Sequence, residues 1–223
     1  MPLIDQLTQN PMSGPEIERR SFAIIDREVP DRAEFDAAQW EIVRRLIHTT
    51  GDLGLAGLVR FSPDAIDAGV AALRSGAPIY ADSNMIRGGL SLARLRSVNP
   101  AYEPASIACH VADPDVAAQA TQLPRSLFAV RKARPMLHGG IAVFGNAPVA
   151  LLELNRLIAE EGIRPALVVA MPVGFVHVVE SKEELATLGV PFIAIEGRRG
   201  GSPLAVATLH ALCTLATHFS KAL

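Results

Sequence analysis

Cysteine is scarce in this chain: Cys109 and Cys213 are the two present in 223 residues. Their wide separation, and the apolar run around Cys109, favour two reduced core thiols over a disulfide or a metal pair. Basic excess is missing as well. With 21 Lys and Arg against 23 Asp and Glu the formal net charge is -2, which excludes general nucleic-acid binding and leaves room only for a local basic pocket. No apolar run reaches the length of a membrane span: the longest, near 166–179, carries Pro172, Gly174 and His177. The opening residues, MPLIDQLTQNPMSGPE, are acidic and polar where a signal peptide has a basic start and an apolar core. A cytoplasmic protein with no membrane segment is expected.

Signature motifs are also absent. Without GxGxxG or GxxxxGKS/T, neither dinucleotide nor P-loop binding has its usual fingerprint. There is no HExxH pair and no Cys/His spacing suited to zinc, so a protein-bound metal is not expected. Composition leaves a Ser/His/Asp triad open, but no GxSxG elbow supports one.

What is present is an apolar, ordered composition, 49% hydrophobic and 20% charged, enough to bury a sizeable core. Residues 1–14, with two prolines and an NP step, read as an irregular arm ahead of a single domain spanning 15–223. Pro15 opens a helix that ends at Pro30, and a second helix is expected from Asp31 as cap to about Thr49, with Phe35, Ala38, Ile42 and Leu46 on its apolar face. Short apolar runs at 55–61, 78–81, 105–111, 140–144, 166–170 and 191–195 read as strands. They alternate with helical segments at 62–76, 84–90, 113–119, 125–133, 149–162, 181–189 and 202–218. That is the βαβ pattern of an α/β fold with a doubly wound parallel sheet and two extra N-terminal helices.

The centre of this pattern is 164–180, RPALVVAMPVGFVHVVE, where a strand buried on both faces exits through a Pro-Val-Gly loop. Two other strand exits carry similar loops, 144–148 (FGNAP) and 196–203 (EGRRGGSP). In a parallel sheet all three emerge on one edge and can share a pocket. Gly174, Gly200 and Gly201 let backbone approach a ligand, Asn146 stands in the 144–148 loop, and helix starts at Pro148 and Pro203, with Ser202 just before the second, offer free N–H groups to an anion. Arg198 and Arg199 add bidentate donors, while Phe175, Met171 and Val173 offer apolar cover. A plain strand-to-helix turn with solvated arginines remains an open reading of the same residues.

Among six histidines, His48 stands apart near the end of the second helix, before Thr49-Thr50-Gly51. There it can exchange a proton with something in a cleft, or merely cap helix carbonyls. His138 reads as a turn residue, and His110 and His177 as structural histidines near strand ends; His210 and His218 share a helix without acidic ligand partners.

The blocks RSFAIID (20–26), RRLIH (44–48), GAPIYAD (76–82), FGNAPVALLEL (144–154), PALVVAMPVGFVHVVESKEEL (165–185) and GRRGGSPLAVA (197–207), in this order, resemble precorrin-8X methylmutase, also called precorrin isomerase. The resemblance implies a three-layer flavodoxin-like fold, a homodimer, and an isomerase of cobalamin synthesis that needs no redox cofactor. Its implied reaction shifts a methyl group of a contracted tetrapyrrole from C-11 to C-12, turning precorrin-8X into hydrogenobyrinic acid or cobalt-precorrin-8 into cobyrinic acid. Which of the two this chain takes stays open here. By the same resemblance His48 matches the proton donor and acceptor, Ser21 a substrate-contacting serine, and Arg125 the first residue of an Arg-Ser pair near the ligand. The chain departs from the family pattern at Thr49-Thr50, commonly Ala-Cys, at Pro124, commonly Thr, and at His177, commonly a small residue.

Overall fold

A computed structural model of the chain describes residues 2–29 and 31–218. The helix break assigned to Pro30 and the last five residues of the expected domain lie outside the described residues. Six strands form one sheet: β1 (Val59–Phe61), β2 (Ile79–Ala81), β3 (Ile107–Ala108), β4 (Ile141–Phe144), β5 (Leu167–Ala170) and β6 (Phe192–Ile195), in the order β1-β6-β5-β4-β2-β3. The pairs from β6 to β3 are parallel. β1 runs antiparallel to β6, Val59 opposite Ile195, which corrects the expectation of a wholly parallel sheet. The reason lies in the connection before it. A short 3-10 segment, Leu53–Leu58, delivers the chain to the carboxyl edge of β6, so the strand that follows can only run back down.

Alternate residues of the central strands feed two cores. Ile141 and Val143 of β4, with Leu167 and Val169 of β5, face one side; Ala142, Phe144, Val168 and Ala170 face the other. Burial on both faces explains why these segments are continuous apolar runs without polar alternation. Helices α8 (Arg125–Leu137), α9 (Pro148–Glu161) and α10 (Val178–Ala186) cover the second side, with α7 (Pro114–Gln119) against α8. The first side is covered by α4 (Ala65–Ser75), α5 (Asn84–Gly89), α6 (Leu92–Val98) and α11 (Ser202–His218).

α11 contacts β4 and β5 on one flank and α3 (Ala37–Thr50) on another, and α2 (Gly14–Glu28) lies on α3. A helix enclosed on so many flanks has to be apolar nearly all round, and α11 buries Leu204, Leu209, Leu212 and Leu215 together with four alanines. Each leucine contributes about 1.5–3 kcal/mol of burial free energy, so α11 is a major cohesive element of this side.

The N-terminal helices differ in detail from expectation. The stretch 1–14 contains α1 (Leu3–Gln9), with Leu3, Ile4 and Leu7 at helical spacing and Asp5 in the first turn. α3 starts at Asp36, not Asp31. Asp36 accepts the Gln39 N–H at 2.8 Å while Gln39 accepts the Asp36 N–H at 3.1 Å, a reciprocal cap, whereas the Asp31 carboxylate accepts the Ala33 N–H at 3.4 Å in the turn before the helix. Likewise Ser62 does not cap α4; its hydroxyl accepts the Phe192 N–H at 2.9 Å and ties the end of β1 to β6.

Candidate active site

His48 occupies the last turn of α3, and α2 positions it. Asp26 of α2 accepts from Trp40 Nε1 (2.7 Å), Arg44 (3.0 Å) and Arg32 (2.9 Å), locking α2 onto α3. Between the two helices the Phe22 ring lies 4.4 Å from the Arg44 guanidinium carbon and 5.2 Å from that of Arg45, and meets the His48 imidazole edge to face at 5.3 Å. Ser21, one residue before Phe22, lines with His48, Ile24, Ile47 and Gly51 an open cavity of about 300 Å³. The Ser21 hydroxyl donates to the Ile17 carbonyl at 2.9 Å, so it offers the cavity acceptor lone pairs. His48 is exposed, and its ring nitrogens have no hydrogen-bond partner among the described residues. The next residues turn inward: Thr49 and Thr50 donate to the carbonyls of Arg45 (2.8 Å) and Leu46 (3.1 Å), and Gly51 caps the helix with a φ of 67°.

The sheet edge meets this helix end through the loop after β6. Arg199 donates to Asp52, two residues past Thr50, at 2.6 Å. Arg198 stands beside it with its guanidinium 5.5 Å from the Phe175 ring and no ion pair among the described residues. Phe175 is 83% exposed, Val176 69% and Val173 45%, so the loop after β5 presents an apolar tip to solvent next to an unpaired cation. The Gly174 N–H donates to the Arg198 carbonyl at 3.3 Å, joining the two loops.

Under these tips the loops lock together. A β-carbon on Gly200, whose φ is 159°, would fall 2.3 Å from the Met171 carbonyl oxygen, and one on Gly145 would fall 2.7 Å from the Ser202 Cα. The Gly201 N–H donates to the Met171 carbonyl at 2.8 Å. Asp82, at the end of β2 and 1% exposed, accepts the N–H groups of Gly145 (3.1 Å), Asn146 (2.9 Å) and Ala147 (2.8 Å). Burial pushes its carboxyl upward, while the three N–H donors pull the other way. Ser83 and Ser202 share a hydroxyl contact of 3.0 Å. Ser202 also lines a second cavity, of about 360 Å³, with Arg45, Thr49 and His210. Thus the two cavities flank the last turn of α3, His48 facing one and Thr49 the other.

The structure brings Ser21 and His48 together, and groups Gly174, Phe175, Arg198, Arg199, Gly200, Gly201 and Ser202 at the adjoining sheet edge. Asn146 joins that group through its backbone, its side chain exposed. Arg125 lies exposed in the first turn of α8, and no contact among the described residues links it to the others. His110 is paired with Asp113 at 2.9 Å, His138 accepts the Arg164 N–H at 3.3 Å, and His210 accepts the Ser91 N–H at 3.0 Å. Burial, then the charges of Arg94 and Arg45, push His210 down to about 4, which keeps it neutral. Sequence reasoning missed Asp52, Asp82, Phe22 and Lys182, because each acts on a partner distant along the chain. For Asp82 the one available signal was an acidic residue closing an otherwise apolar strand.

The comparisons with known proteins now bear on a defined geometry. A family model described as precorrin-8X methylmutase matches residues 16–215, a span that contains every candidate above. The chain is 42% identical to cobalt-precorrin-8 methylmutase of Leptospira interrogans, over 92% of this chain and 94% of that protein. The chain belongs to the precorrin-8X methylmutase family. A second member, precorrin-8X methylmutase of Pseudomonas aeruginosa, is 40% identical over 90% of this chain and 95% of its own. Among solved structures, precorrin-8X methylmutase from Thermus thermophilus superposes with a TM-score of 0.84 at 43% identity, covering 92% of this chain and 98% of that one. In this precorrin-8X methylmutase family member no group of three or more His, Cys, Asp or Glu among the described residues could hold a metal ion, and none of its described helices is long and apolar enough to cross a membrane.

Proposed function

We propose that the chain is an isomerase of cobalamin biosynthesis that moves a methyl group from C-11 to C-12 of precorrin-8X, giving hydrogenobyrinic acid, or acts likewise on cobalt-precorrin-8 to give cobyrinic acid. The observation that carries this reading is that His48 and Ser21, far apart in sequence, line one open cavity beside an arginine-bearing loop. In the reaction the methyl–C-11 bond breaks as the methyl–C-12 bond forms on the same face of the macrocycle, with no electrons gained or lost. His48 gives a proton to a ring nitrogen, or holds one there, which withdraws electron density and lowers the barrier; it takes the proton back after migration. Ser21 accepts a hydrogen bond from the substrate and fixes its height against the imidazole.

The remaining candidates suit an apolar ring fringed with acids. Phe175, Val173 and Gly174 cover the ring face, and Arg198 and Arg125 pair with carboxylates. Asn146 and Ser202 add polar contacts at the helix starts. Arg199 already shares its charge with Asp52, so Arg198, with no ion pair among the described residues, is the stronger partner. Gly200 and Gly201 serve the site by letting the loops pack.

Three wider features belong to the same reading. The strand order β6-β5-β4-β2-β3, reversing between β2 and β4, supports a flavodoxin-like winding with its ligand at the reversal. Exposed Leu3, Ile4 and Leu7 on α1 and Ile17 and Ile24 on α2, the last of which lines the His48 cavity, support a homodimer. Two buried free thiols suit a cytoplasmic enzyme. The deciding experiment incubates purified protein with precorrin-8X and, separately, with cobalt-precorrin-8, following absorbance. Conversion to the product spectrum is expected with one or both. A lasting spectrum of bound, unchanged substrate would make this a corrinoid-binding protein.

A further inference from the structure

Lys182 of α10 is 6% exposed, and its ammonium donates to the carbonyls of Gly197 at 2.9 Å and Arg199 at 2.8 Å. No carboxylate pairs with it among the described residues. The nearby acid Glu196 is engaged by Arg60 instead. Arg60, Glu183 and Glu196 line the same cavity of about 290 Å³ as Lys182. A buried ammonium without a counter-charge is costly, and an apolar side chain of similar length would fill the space without that cost.

Its two acceptors bracket Arg198. Drawing the carbonyls of 197 and 199 inward leaves the intervening residue on the outside of the turn, where its own carbonyl accepts from Gly174 and its guanidinium lies over Phe175. Burial lowers the Lys182 ammonium to about 8, in keeping with a site where carbonyl oxygens alone hold the charge. We propose that Lys182 is a positioning residue for substrate binding: it fixes the 197–199 turn so that Arg198 is presented to a substrate carboxylate. The assignment rests on the reading of Arg198 as a carboxylate partner.

The test compares Lys182→Met, Arg198→Ala and the double variant, with precorrin-8X as probe and a thermal melt of each protein. Lys182→Met should raise KM about tenfold while kcat falls no more than about threefold, and adding it to Arg198→Ala should raise KM no further, the signature of two residues acting as one unit. Lys182→Arg, which keeps a cation able to donate to both carbonyls, should recover part of the lost affinity. Should Lys182→Met fail to fold, Lys182→Gln carries the same comparison. If Arg198→Ala raises KM and Lys182→Met does not, or if the two losses add, the positioning role is wrong and the arginine reading stands. If Arg198→Ala leaves KM unchanged, both fall.

Discussion

At the sheet edge, the loops after β2, β4, β5 and β6 are held by buried groups: Asp82 under three N–H donors, Gly200 pressed against Met171, Ser83 against Ser202, Lys182 under the arginine turn. His48 stands on the adjoining helix end, whose ties are threonine hydroxyls, a ring contact and the Asp26 cluster, and its own nitrogens have no hydrogen-bond partner among the described residues. The difference separates two duties. A group that must exchange a proton with a ligand cannot spend its donors on the fold, whereas a wall that must hold a large rigid macrocycle gains from being over-determined. Changes on the two sides should therefore fail in opposite ways.

The largest effect should come from the helix end. His48→Ala is expected to fold and to bind tetrapyrrole, and to lose about 100- to 10,000-fold in turnover, the range for general acid–base help. Its melting temperature should stay within about 2 °C of wild type, since an exposed side chain without hydrogen bonds is removed. Steady-state turnover beside a thermal melt checks both halves. Undiminished turnover would take His48 out of the mechanism.

The sheet edge should answer the other way round. Gly200→Ala forces a β-carbon into the Met171 and Pro172 carbonyls at a φ of 159°, and should cost about 2–4 kcal/mol of stability in urea unfolding. Asp82→Asn removes the charge that three N–H groups share and should cost about 2–3 kcal/mol. In both variants activity should fall only as far as the folded fraction falls. A wild-type unfolding midpoint with lost turnover would mean that these residues touch substrate, and the two walls would no longer differ.

How much of this was legible in the sequence follows the same division. Segments whose character is set by their own residues were readable: the strands at 141–144 and 167–170, buried on both sides, and the helix Ser202–His218, whose bounds match the expected ones. The place of His48 in the last turn of its helix was readable, because the helix-ending Gly51 three residues on is a local pattern. What sequence could not carry was partnership at a distance. Asp52 and Arg199 are 147 residues apart, and Asp82 and Gly145 are 63 apart. Lys182 lay in a run, SKEEL, with the look of a solvated helix face, and only the packed turn above it makes it a buried donor. The direction of β1 was hidden for a similar reason, since an apolar triplet pairs equally well either way until its entry point is known.

The smallest effect tests the seam between the two walls, where His210 of α11 lines the cavity shared by Thr49 and Ser202. Its Nε2 accepts the Ser91 N–H, and burial with the charges of Arg94 and Arg45 lowers it to about 4. In the unfolded chain a histidine titrates near 6.5. Between these values the unfolded state binds more protons than the folded one, so this contribution to stability is complete above about pH 6.5 and is lost as pH falls toward 4. Urea midpoints measured from pH 7.5 to 4.5 should decline, and in His210→Gln, whose side-chain oxygen can still accept from Ser91, the decline should be shallower. Parallel curves for the two proteins would mean that His210 takes up its proton in the fold, and that the seam beside His48 is wetter than its geometry implies.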